Sequence, residues 1–497
     1  MANSHAMFRV KSIDRLLAES RATGEGTLRR TLGPWQLIAL GIGAIIGAGL
    51  FVRTAAAIAD RAGPSVVLAF VVAGVGCAFA GLCYAEFASM IPVAGSAYTY
   101  SYATMGELVA WIIGWDLVLE YAVGAATVAI AWTEYANRVL EWFGMRIPYE
   151  WTHGPFESAG GATGIMNLPA VFILGILSML LIRGTKESAF VNSIIVVIKV
   201  AIVLLVITIG WGFINPANHT PFIPEATTYV SPAGVTHAYG GLMGILGAAG
   251  VVFFAYIGFD AVSTAAQEAK NPKRDMPIGI LGSLVICTVL YVLFAYVLSG
   301  VAPVSDFRDP TLGREASVAF VISTYMTNYE WLSRAVTVAI LAGFSSVILV
   351  MLLGQSRVFY SMSHDGLVPK VFSDIHPKYR TPWKSNMLFF VFTAAFAAFV
   401  PGDIVGEMTS IGTLFAFILV SAGVWIMRVK RPDLERGFRV PALPVVSILG
   451  IFVCAAMIYG LGWTNWLRLL GWLAIGFLLY FTYGIRHSKL RAQGAQG

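Results

Sequence analysis

Twelve apolar runs follow one another along this chain, near residues 34–59, 65–90, 106–140, 168–182, 189–214, 238–266, 277–300, 330–360, 385–400, 404–427, 443–462 and 466–485. Polar stretches separate them. A helix needs about 20 apolar residues to cross a bilayer. The pattern predicts an all-α polytopic membrane protein with twelve transmembrane helices. Ahead of the first run, Phe8 to Leu17 mixes apolar and charged positions and reads as a surface arm or an interfacial helix.

Two runs weaken their own helices. In the first, Gly41, Gly43, Gly47 and Gly49 fall within nine residues. Each glycine in a helix interior costs about 0.5–1 kcal/mol relative to alanine. Unsatisfied backbone is not tolerated in lipid. A break here therefore has to line a protein cavity, where freed N–H and C=O groups can serve a ligand. The same glycines also suit close helix packing through Gly43-x-x-x-Gly47. In the sixth run, the stretch from Gly247 to Asp260 combines glycines, aromatics and an acid at membrane depth. Broken first and sixth spans, five helices apart, point to an inverted repeat. The repeats are then residues 34–214 (helices 1–5) and 238–427 (helices 6–10). Residues 441–486 form two accessory helices, residues 1–33 an arm and residues 487–497 a tail.

Composition agrees with the pattern. The chain is 57 % hydrophobic and 12 % charged, against about 25 % charge in soluble domains. Mean hydropathy is +0.75. A net charge of +6 invites a nucleic-acid reading, which the placement of the charges removes. Of 33 Lys and Arg, 24 fall on the side of the termini and 8 on the other, with Lys199 inside a span. The positive-inside rule puts both termini in the cytoplasm of a multi-pass plasma-membrane protein. The basic loops suit anionic lipid headgroups. Cys77, Cys83, Cys287 and Cys454 sit in apolar runs without a C-x-x-C pair and read as buried thiols. The histidines lack metal-ligand spacing, so neither metal nor cofactor is expected. An enzyme would need a Ser/His/Asp set, H-E-x-x-H or placed catalytic acids. A channel would need pore rings or filter loops. The sequence shows none of these.

Five ionisable groups lie within spans: Glu86, Asp116, Glu120, Lys199 and Asp260. Such groups are functional candidates by default. Lys199 has no charged neighbour within a helical turn and is too deep to snorkel. Asp116 lies one turn from Glu120 on the same face. Glu86, near the end of its span, suits a pair with a basic loop, structural or gating. Asp260 opens the second half of helix 6, where an acid complements the helix dipole, so a capping role is expected.

The run Gly41–Phe51 resembles the first-helix signature of the amino acid–polyamine–organocation superfamily. Phe253–Asp260 followed by Glu268–Pro277 resembles its cationic amino acid transporter branch, as do Trp115–Tyr121 and Arg357–Leu367. The likeness spans about residues 30–490. Relatives in animals carry two further spans, so the chain resembles a bacterial member.

The resemblance implies the leucine-transporter fold, with an L-amino acid held at the midplane between broken helices 1 and 6. Amides of Gly47, Ala48 and Gly49 then face the substrate carboxylate, as helix N-termini do. Carbonyls of Ile45, Phe254, Ala255 and Ile257 face the α-ammonium, and Phe254 takes the place of an aromatic lid. Glu120 is the third-helix acid, facing a cationic side chain or packing helix 3. Lys199 matches the lysine that replaces a sodium ion in proton-coupled relatives, bonded to carbonyls near Gly41 and Ile42. Burial penalises the charged form of an amine, which makes proton release possible; a purely structural tie between helices 1, 5 and 8 is the other reading. The expected function is proton-coupled transport of L-amino acids, cationic ones and small neutral ones such as alanine among them. Exchange without net proton coupling and a transporter-derived nutrient sensor are the alternatives. No partner subunit is specified.

Overall fold

The computed structural model describes residues 8–13, 16, 32–47, 49–91, 93, 95–159, 161–183, 186–231, 236–266, 269–308, 317–379 and 381–490. Twelve helices follow the twelve apolar runs within a few residues. Helix α1 has two halves, Pro34–Ile45 and residues 49–62. Then come α2 (Val66–Met90), α3 (Glu107–Glu141), α4 (Leu168–Arg183) and α5 (Lys186–Gly210). Helix α6 runs over Gly241–Val252, tightens at Phe253–Tyr256 and resumes briefly at Ala261–Thr264. The second part of the chain adds α7 (Pro272–Val301), α8 (Glu330–His364), α9 (Trp383–Phe399) and α10 (Gly402–Lys430). The last two are α11 (Leu443–Leu461) and α12 (Trp463–Leu479), which continues as a helix to His487.

An even number of spans brings both ends of the chain to one face. There Asp365 joins them: its Oδ1 lies 3.1 Å from Lys11 Nζ, and its carbonyl accepts the Lys489 N–H at 3.0 Å. On the opposite face an antiparallel hairpin pairs Thr227–Val230 with Thr236–Tyr239. The arm is tied to the protein at some of its described residues: Lys11 N–H donates to Tyr102 O, and Ile13 and Leu16 are buried, whereas Phe8 and Val10 are exposed.

Both expected breaks are present. Ile46 is extended (φ −74°, ψ 104°), so α1 stops at Ile45 and resumes at Gly49. In α6, Gly258 has φ +112°, a conformation costly for any side chain. The breaks face one another. A Cβ on Gly49 would run into the backbone of Ala255, and one on Gly258 would lie 2.8 Å from Ala44 Cβ. Small residues also seat α1 on α7, where a Cβ on Gly279 would come within 2.7 Å of Leu37 Cβ. Close packing is thus one use of the glycine-rich stretch. With broken α1 and α6 at its centre and α11–α12 outside the two five-helix sets, this is the leucine-transporter fold.

Candidate functional site

The breaks bring two backbone carbonyls to one point. Tyr291 Oη of α7 lies 2.9 Å from both Ile45 O and Ala255 O. A phenol has one hydrogen and donates to one of them at a time. An ammonium has three and can satisfy both at once. Of the four carbonyls assigned to the α-ammonium, those of Ile45 and Ala255 are thus brought together at Tyr291. Phe254 O is taken by the Ile257 N–H inside the turn, at 3.4 Å. Gly47 lies in the break beside Val347 of α8, 2.7 Å from Cγ2 to a Cβ placed on it, and Gly49 opens the second half of α1. Ala48 lies outside the described residues. Tyr291 is a site residue that the apolar pattern of α7 gave no reason to single out.

The Phe254 ring is buried, and Arg53 of α1 lies over it, 5.7 Å from guanidinium carbon to ring centroid. Arg53, inside the first apolar run, is one of the eight basic residues counted in sequence on the side away from the termini. It is buried and reaches α10, donating to Asp403 Oδ1 at 3.1 Å and to Gly402 O at 3.0 Å. A residue at the end of a broken half-helix can turn inward, where a loop residue would not.

Lys199 spans three helices. Its Nζ donates to Gly43 O at 2.9 Å, Ile46 O at 2.8 Å and, on α8, Gly343 O at 3.4 Å. The expected partners near Gly41 and Ile42 are corrected by this register. Ile42 O still accepts the Ile46 N–H at 3.0 Å within the helix. The carbonyls left over by the break lie further along. The three bonds fill the ammonium's donor capacity.

The acids group on the other side of the breaks. In α3, a π-helical turn over Leu119–Val123 carries Glu120; such turns are frequent at functional sites. Asp116, Glu120 and Asp260 are fully buried. Asp260 precedes Ala261 but makes no side-chain cap bond; its Oδ2 accepts from Tyr121 Oη at 2.6 Å. This corrects the capping role, for which four helical residues offer little dipole. Glu120 and Asp260 are close enough to interact electrostatically. The carboxylate oxygens of Asp116 and Glu120 accept no hydrogen bond from the described residues. Buried charge without a partner is strongly disfavoured. The arrangement is suited to an ammonium or guanidinium from outside the chain, or to protons. Glu86, by contrast, is a structural anchor, bonded to Arg428, Arg436 and the Val440 N–H.

The amino acid permease family matches residues 32–476. A branched-chain amino acid permease of Bacillus subtilis is 43 % identical over 485 residues, covering 98 % of this chain and 99 % of its own. The methylthioribose transporter of the same organism is 39 % identical, with the same shares covered. Cationic amino acid transporter 9 of Arabidopsis thaliana, named as chloroplastic, is 36 % identical over 89 % of this chain and 74 % of its own.

Proposed function

From the premise that the chain belongs to the amino acid permease family, we propose that it is a proton-coupled secondary transporter of L-α-amino acids. Membership already makes it a multi-pass transporter and not an enzyme. The carrying observation is the convergence of Ile45 O and Ala255 O on Tyr291 Oη. Two carbonyls at membrane depth are a receptor for an α-ammonium. Gly47 and Gly49, with Ala48 between them, complete the reading as carboxylate donors. Phe254 covers the site, and Arg53 and Asp403 close it from the opposite face.

Lys199 is the proposed proton carrier, because its three bonds to α1 and α8 can all be made only while it is charged. The buried acids support acceptance of cationic side chains, with Glu120 facing them, Asp260 beside it and Asp116 a turn away. Branched-chain substrates are a second reading, favoured by the 43 % identical permease. The repeats, residues 34–214 and 238–427, would rock around the site, with both termini in the cytoplasm.

The test is a competition panel in proteoliposomes, with and without an inward proton gradient. It compares alanine, leucine, arginine, lysine and methylthioribose. Saturable uptake of amino acids accelerated by the gradient supports the proposal. Counterflow indifferent to the gradient makes the protein an exchanger, and binding without flux makes it a sensor.

A further inference from the structure

We propose that the face of the termini carries a specific site for one anionic phospholipid, between the N-terminal arm and the end of α10. The site has two parts. A recess of about 210 Å³ is lined by Val10, Lys11, Ser12 and Ile13 of the arm, by Thr104, and by Met427, Lys430 and Arg431. Across Lys430 lies a trough of about 290 Å³, lined by Trp425, Ile426 and Val429. Val429 is 72 % exposed, so the trough opens outward, toward the lipid that surrounds α10.

The chemistry changes across Lys430. On one side the walls are apolar. On the other, two ammonium groups and a guanidinium stand among Val10, Ile13, Ala103 and Met427. Arg431 is held by Asp433, at 2.8 Å from Nη2 to Oδ2, and Lys11 by Asp365. Lys430 is exposed and pairs with no carboxylate among the described residues. The last turn of α10 presents carbonyls, which repel an anion. Attraction therefore rests on the side chains, Lys430 first. A phospholipid has the same division: an acyl chain for the trough and a phosphate for the recess. A free phosphate leaves the trough empty. An acidic peptide would have to place its backbone in hydrocarbon, where its polar groups go unsatisfied.

A phosphate in the recess lies between the arm and α10 and ties them together. The arm is also what Asp365 grips through Lys11. The lipid would thus hold the arm in its seat over the face of the termini. This inference does not depend on which amino acid is carried, or on proton coupling.

The experiment uses the full chain in vesicles of phosphatidylcholine, with or without phosphatidylglycerol. Lipid retained on the purified protein is counted by native mass spectrometry, and thermal unfolding is followed in parallel. Wild type should retain one phosphatidylglycerol in preference to phosphatidylcholine and unfold at higher temperature with it. Each basic residue near an anionic surface is worth about fivefold in binding. Lys430→Ala should lower retention by about that factor, and Lys430→Arg should keep it. Lys378→Ala removes an exposed charge from the same face and should leave retention unchanged. Equal loss in the Lys430 and Lys378 variants would make the effect one of bulk surface charge and overturn the site. So would stabilisation by inorganic phosphate alone, or the absence of any phosphatidylglycerol preference in wild type.

Discussion

Arg53 and Asp403, 350 positions apart in sequence, meet at 3.1 Å, and the proposed function puts them across the mouth of the site. The pair is unequal. Arg53 is buried, whereas the Asp403 side chain is 73 % exposed. An exposed ion pair contributes only about 0–1 kcal/mol. Asp403→Ala should therefore slow uptake by about fivefold at most. Arg53→Ala also removes the bond to Gly402 O and the contact with the Phe254 ring. It should reduce uptake far more, with a faster loss of bound substrate. Initial uptake rates and substrate off-rates of the two variants, measured side by side, check the ranking. Equal losses would mean that the ion pair alone closes the mouth.

The glycines of the break are expected to fail for different reasons. A side chain on Gly49 meets the backbone of Ala255, which cannot retreat. Gly49→Val should give a protein that does not fold. A side chain on Gly47 meets only Val347. Gly47→Ala combined with Val347→Ala should restore packing and stability. If Gly47 is there to let a carboxylate approach, the double variant stays folded and still binds poorly. Recovery of equilibrium binding in that variant would reduce Gly47 to a packing residue.

The acids predict a split in selectivity. Glu120→Gln removes a charge and keeps the shape of the side chain. Arginine and lysine uptake should fall by tenfold or more, since a charge-assisted hydrogen bond is worth about 1.5–3 kcal/mol. Leucine and alanine should change little. Competition measurements with all four substrates read the split directly. A uniform loss would assign Glu120 to the folding of α3.

The helices were legible because apolar length alone defines a span, and the breaks because glycine density contradicts one. Ile45 and Ala255 came, with Phe254 and Ile257, from the family resemblance. What sequence could not supply is contact between distant elements. Tyr291 looks like any aromatic of an apolar run until α7 is set against both breaks. Arg53 looks like a charge of the opposite face until the second half of α1 turns it toward α10. The register of Lys199 missed for a related reason: Gly43 O and Ile46 O are freed only by where the helix actually stops. The arm, amphipathic over a few residues, could not show whether its apolar side meets lipid or protein.

The proposed coupling rests on Lys199. Its three bonds tie α1 to α5 and α8 while the ammonium is charged. A neutral amine has fewer hydrogens to donate and a weaker hold on each carbonyl, so α1 is released. Uptake should then be independent of sodium and accelerated by an inward proton gradient. Lys199→Ala removes the switch. It also leaves Gly43 O and Ile46 O without their donor, and each buried group so orphaned costs about 1–3 kcal/mol. Some loss of stability is expected on that ground alone, so uptake by itself cannot decide the role. The deciding measurement pairs pH-driven uptake with equilibrium binding on the same monodisperse Lys199→Ala protein. Binding should largely survive, because Lys199 lies behind α1 and does not reach the point where Ile45 O and Ala255 O converge. Gradient-driven uptake should collapse, while counterflow at equal pH persists in part. Loss of binding together with transport would make the lysine a structural tie. Gradient-driven uptake equal to wild type would end the proton-carrier role.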